Sequence, residues 1–79
     1  MEELKLGVYR HFKGKDYEVI YVARDCDNPS KKFVVYKALY DHPEFGADSI
    51  WVRSLEDFVG EKVLEDGKRI KRFEFVGVR

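Results

Sequence analysis

The run "YEVIYVAR" (Tyr17–Arg24) and the run "FVVYKALY" (Phe33–Tyr40) are each eight residues of mostly β-branched and aromatic side chains. Such residues fit the pleated, half-buried surface of a sheet, so both runs are predicted strands. Between them lies Asp25-Cys26-Asp27-Asn28-Pro29-Ser30-Lys31-Lys32, a polar connector crowded with turn formers. A parallel crossover needs a dozen residues or more, usually with a helix, so this connector predicts an antiparallel pair. The first run is apolar at both parities in its middle, with Val19 and Tyr21 on one and Ile20 and Val22 on the other. That pattern fits a strand that bends through a closed barrel or is covered on both faces.

The flanking sequence extends the same picture. Residues 8–12 form a short extended segment, and Lys13-Gly14-Lys15-Asp16 is a turn. On that segment Val8 and Phe12 are expected to enter the core, with Tyr9 and His11 on a half-exposed face. Asp41–Ser49 is a loop broken by Pro43 and Gly46, and Ile50–Arg53 is a short strand. Ser54 before Leu55-Glu56-Asp57-Phe58, with Gly60 as a stop, predicts one capped helical turn. Asp66-Gly67 between Glu61–Leu64 and Arg69–Val76 predicts a final hairpin. The fold class expected is all-β: a small antiparallel SH3-like barrel of five or six short strands with one short helical turn. A strongly bent antiparallel sheet carrying that turn is the alternative. Residues 1–79 are expected to form a single compact β domain, since 79 residues suffice for one small core.

The familiar stretches "GVYRHFKGKDYEV", "FVVYKALY", "WVRSLEDF" and a closing "RF" occur in order from about Gly7 to Phe73. Together they resemble a bacterial family catalogued as domain of unknown function 1653. The resemblance implies a whole domain of that family and carries no assigned function. The chain departs from the family pattern at three places. Asp25-Cys26-Asp27-Asn28 stands at a turn that often resembles His-Ser-Glu-Thr, Asp41 stands where Gly is common, and Ser54 where Pro is common.

Composition removes several function classes. Fifteen Lys/Arg face fifteen Asp/Glu, and the two halves of the chain differ by only +2 and −2, which argues against a strongly basic nucleic-acid binder. One cysteine excludes an internal disulfide and fits a reducing compartment. The charged start, Met1-Glu2-Glu3-Leu4-Lys5, lacks a signal-peptide apolar run. No segment approaches the ~20 apolar residues that span a bilayer. The expected location is cytoplasmic, with no membrane partner.

Chemistry is sparse. Asp25, Asp27 and Asn28 mimic the start of a calcium loop, but Pro29 and Tyr36 occupy positions that should hold ligands. Cys26, His11 and His42 lack zinc-ligand spacing. Asp25 and Asp27 flank Cys26 and would deactivate its thiol. No catalytic residue, metal or cofactor is expected, and the protein is expected not to be an enzyme. Lys68, Arg69, Lys71 and Arg72 sit beside acidic neighbours and suggest a solvated face of mixed sign.

The aromatics carry the functional expectation. Tyr9, Arg10, His11, Tyr36, Tyr40, Trp51 and Arg53 are the candidate ligand-binding residues. Exposed amphipathic rings in small β domains hold extended peptides or bases, and an Arg among them holds a carboxylate or phosphate. The protein is expected to be a binding or interaction module that holds a protein segment or a small anionic ligand. The alternative is RNA or single-stranded DNA binding through the same rings with Lys13 and Lys15. Tyr17 and Tyr21, in the most apolar run, are expected to be core.

Overall fold

The computed structural model describes residues 4–78. Five strands make one antiparallel sheet: β1 (Gly7–His11), β2 (Asp16–Arg24), β3 (Lys32–Ala38), β6 (Ile50–Ser54) and β9 (Phe73–Gly77), in the spatial order β6-β3-β2-β1-β9. Two small hairpins accompany it, β4 (Asp41–His42) with β5 (Gly46–Ala47), and β7 (Glu61–Val63) with β8 (Arg69–Lys71). One helical turn, α1 (Leu55–Phe58), follows β6 directly. Among the described residues no helix is long and apolar enough to cross a membrane.

The sheet is open. A closed barrel requires its two edge strands to pair, and here β6 and β9 remain edges. The cause is local and lies at Arg72. Its N–H donates to the Gly60 carbonyl (3.0 Å), and its own carbonyl accepts from Phe12 N–H (3.0 Å). Those bonds split the expected strand Arg69–Val76 in two, so Arg69–Lys71 pairs with β7 while Phe73–Gly77 pairs with β1. The closed barrel of the sequence reading is thereby corrected to an open antiparallel sheet with a helical turn.

One face of the sheet is covered by α1. Ser54 Oγ accepts from Asp57 N–H (3.3 Å) and caps the turn, as Ser before an acidic first turn should. This delivers Phe58 into the concavity, where it is 1% exposed. Phe58 stacks on Phe73 with centroids 4.1 Å apart and planes 7° from parallel, and meets Tyr9 and Tyr36 edge-on. With Val19 and Val34 these rings form the core cluster.

The both-parity pattern of β2 has a different origin from the one expected. Tyr17 and Val19 oppose Ala38 and Tyr36, but beyond Ile20 the register shifts and Tyr21 and Val22 oppose Val35 and Val34. Ile20 is the extra residue of a β-bulge, and a bulge reverses which face each later side chain takes. Tyr21 therefore points away from the core and is 67% exposed, contrary to its expected burial. The parity of β1 is also reversed: Tyr9 is buried, whereas Val8 and Phe12 are only partly so. Gly7 explains the close approach of β9, because a Cβ there would lie 2.7 Å from the Gly77 carbonyl oxygen.

Phe58→Ala should lower unfolding stability by about 3–5 kcal/mol, the usual cost of emptying an aromatic site in a core. Tyr21→Ser should change it by no more than about 0.5 kcal/mol, as for exposed surface sites. Urea denaturation of both variants measures this, and a Tyr21 variant as damaging as the Phe58 variant would refute the bulge assignment.

Candidate functional site

Strand pairing brings Tyr17, Tyr36, Trp51 and Arg53 to the concave face, because Tyr36 opposes Trp51 and Val34 opposes Arg53. Alternation along β6 then puts Trp51 and Arg53 two residues apart on one side. His11 reaches the same region from the end of β1, with its ring 4.9 Å from Phe73 and 6.3 Å from Tyr17. Tyr40 joins through a 2.7 Å hydrogen bond between its hydroxyl and that of Tyr17. Beyond it the β4–β5 hairpin adds His42 and Phe45, which contact Trp51 at 6.2 and 5.2 Å.

Five of the seven candidate residues thus gather on one face: His11, Tyr36, Tyr40, Trp51 and Arg53. Tyr36 contributes only its hydroxyl, because its ring is core and 6% exposed. The other two do not belong. Tyr9 is equally buried, and its hydroxyl donates to the Lys5 carbonyl at 2.8 Å. Arg10 points outward and its Nε donates to Asp16 Oδ1 at 2.9 Å. Alternation along β1 separates Arg10 from His11 and sends them to opposite faces.

Arg53 crosses the site. Its Nε donates a long hydrogen bond to the Tyr36 hydroxyl (3.4 Å), and its guanidinium lies 6.0 Å from the Phe73 ring centroid. Arg72, which sequence reading placed on a solvated face, is half-buried, and its Nε is buried with no hydrogen-bond acceptor. The ion pairs among the described residues join Arg10 with Asp16, Lys37 with Glu18, and Arg69 with Glu61. Neither Arg53 nor Arg72 has a carboxylate partner among the described residues. A signal for Arg72 was present in the sequence. The apolar alternation changes phase across it, from Ile70 to Phe73 and Phe75.

The surroundings of His11 and Tyr17 record this excess of positive charge. Burial lowers the His11 pKa, and the charges acting on it, Arg53, Lys13 and Arg72, are all cations that lower it further. Its Nδ1 also accepts from Lys13 N–H (3.1 Å), which fixes the neutral ring with its proton on Nε2. Burial raises the Tyr17 pKa, and the bond to Tyr40 adds to this while Arg53 opposes it. His42 is held similarly, its Nδ1 accepting from Glu44 and Phe45 N–H at 3.0 and 3.2 Å. Asp25, Cys26 and Asp27 place their ligand atoms within 4.8 Å of one another. Asp25 Oδ1 is already taken by Asp27 N–H, so a simple turn accounts for the group.

Because its folded pKa lies below the ordinary 6.5, His11 binds a proton more readily in the unfolded chain. Its contribution to stability is therefore intact above about pH 6.5 and is lost as pH falls toward the folded value. Urea midpoints at pH 7.5 and 5.5 should show the wild type weaker at 5.5. His11→Asn, which keeps an acceptor for Lys13 N–H, should reduce that difference. An undiminished difference would remove His11 as its source.

The profile described as "Protein of unknown function (DUF1653)" matches residues 7–75. Among solved structures, the crystal structure of a protein belonging to DUF1653 from Bordetella bronchiseptica is similar, with a TM-score of 0.78 and 28% sequence identity. The alignment covers 98% of this chain and 92% of that one. No curated protein matches. The profile takes in His11, Tyr17, Tyr40, Trp51, Arg53 and Arg72 together with β1, β2, β3, β6 and the first three residues of β9, and the chain belongs to the DUF1653 family of proteins of unknown function.

Proposed function

We propose that this domain is a non-enzymatic binding module whose concave face holds the anionic group of a small ligand or of a protein segment. One observation carries the reading. Two guanidinium groups, Arg53 and Arg72, lack a carboxylate partner among the described residues, and the Nε of Arg72 is buried without an acceptor. A guanidinium without a carboxylate partner keeps charged donors to spare, and an anion accepting from them forms charge-assisted hydrogen bonds. Tyr17, Tyr40 and Trp51 supply the amphipathic wall that orients the remainder of the ligand. The absence of catalysis is supported by the imidazoles, since both Nδ1 atoms are committed to backbone amides. The exposed Cys26 stands among acidic residues in the β2–β3 connector.

Binding of single-stranded nucleic acid is a second reading, favoured by one specific feature. Lys15 Nζ lies 5.1 Å from the Tyr40 ring centroid, and Lys13 Nζ lies 5.9 Å from that of Phe12. Cations beside rings suit phosphates beside bases. A cytoplasmic location belongs to the same proposal and is supported by the single cysteine of the sequence.

Titration with benzoate, inorganic phosphate and a mixed oligonucleotide, followed by Trp51 fluorescence and calorimetry, tests these readings. Arg53→Gln and Arg72→Gln should each weaken binding of a small anion about tenfold or more, the scale of a lost charge-assisted hydrogen bond. Oligonucleotide binding that increases with length and falls steeply with salt would favour the second reading. Small-anion binding untouched by both substitutions would overturn the first.

A further inference from the structure

The number of unpaired cations points to the ligand more narrowly, an inference that rests on the anion-binding reading above. We infer that the concave site takes a phosphomonoester dianion attached to a planar aromatic body. Arg53 and Arg72 bring two positive charges with no acidic counterpart among the described residues. A monoanionic carboxylate would leave one of them uncompensated, while a phosphomonoester carries about −1.5 to −2 charges at neutral pH. It also presents three strong acceptor oxygens, and two guanidinium forks satisfy these better than they satisfy the two of a carboxylate.

The donors available agree with that count. Arg53 uses its Nε on Tyr36, which leaves its terminal nitrogens without a hydrogen-bond partner among the described residues. The Arg72 side chain has no hydrogen-bond partner among the described residues, and His11 keeps a proton on Nε2 because Nδ1 is an acceptor. Lys13, the other cation acting on His11, stands at the rim.

The aromatic half of the inference comes from the wall beside the cations. Trp51 lies on the same face of β6 as Arg53, and Phe45 packs against it at 5.2 Å with its planes 80° apart. Phe45 is nevertheless 55% exposed. Tyr40 continues the wall, 6.2 Å from His42. An exposed ring held edge-on to a tryptophan leaves an amphipathic surface on which a planar group can stack. Aromatic phosphates and nucleoside monophosphates share this chemistry, and the two are separable by experiment.

Four probes make the test: phenyl phosphate, adenosine 5′-monophosphate, ribose 5-phosphate and benzoate, titrated into the protein by calorimetry with Trp51 fluorescence in parallel. At least one of the first two should bind at least tenfold more tightly than both ribose 5-phosphate, which lacks a ring, and benzoate, which carries one charge. The tighter of the two distinguishes an aryl phosphate from a nucleotide. Arg72→Gln should reduce that affinity about tenfold or more and reduce benzoate affinity less. Benzoate binding as well as the phosphates would overturn the dianion inference while leaving the anion site standing. Equal binding of ribose 5-phosphate would overturn the aromatic half. Failure of all four to bind would overturn the site itself. Phe45→Ala, on an exposed loop, provides a variant that should keep the fold and lose the preference for a ring.

Discussion

The contact between Phe58 and Phe73 is the constraint around which the domain is arranged. A five-stranded sheet buries nothing until a second layer covers one face, and here that layer is a single helical turn. So short a helix contributes little of its own and depends on tertiary packing. Its one fully buried residue must therefore meet as many rings as possible, and Phe58 meets three: Tyr9, Tyr36 and Phe73. Everything upstream of that contact serves to aim it, from the Ser54 cap to the pairing of β6 with β3.

The same packing accounts for the location of the candidate site. Phe73 is stacked by Phe58 on one side and approached by His11, Tyr17 and Arg53 elsewhere. The edge of the core and the edge of the site are thus one ring. Arg72 is placed by its backbone, held to Gly60 and Phe12 at the point where the last strand breaks. At that same break Arg72 is half-buried, with its Nε enclosed. An overall balance of charge hides this arrangement, because the ion pairs among the described residues lie elsewhere, at Arg10, Lys37 and Arg69.

Much of the framework was legible in the sequence because it depends on local chemistry. The two β-branched runs, their polar connector, the Ser54 cap and the Asp66-Gly67 turn all carry their structure in short windows. What stayed hidden depends on long-range pairing. A bulge at Ile20 and a sheet bent through both parities leave the same apolar pattern, and only the register with β3 separates them. Tyr9 and Val8 differ in burial because Phe58 arrives over one face, a fact set some fifty residues away. The site was legible in part for a similar reason. Rings and Arg53 on alternate positions could be read directly, whereas the partial burial of Arg72 arises at a strand break where its backbone bonds to Gly60 and Phe12. Arg10 was misplaced because proximity in sequence to His11 is separation in a strand.

The bulge has a further consequence, for the way the molecule opens. On the far side of Ile20, Tyr21, Val22, Ala23 and Arg24 are all exposed, as is the connector from Cys26 to Lys31. That end of the β2–β3 hairpin touches the core cluster through Val34, opposite Val22, and is otherwise held by its own ladder and by the neighbouring strand β6. The longest strand of the domain therefore belongs to two cooperative units, one locked to the aromatic core and one that can separate at little cost. Its amides should divide at the bulge into slow and fast exchangers, so that the hairpin tip breathes while the concave face and its rings stay assembled.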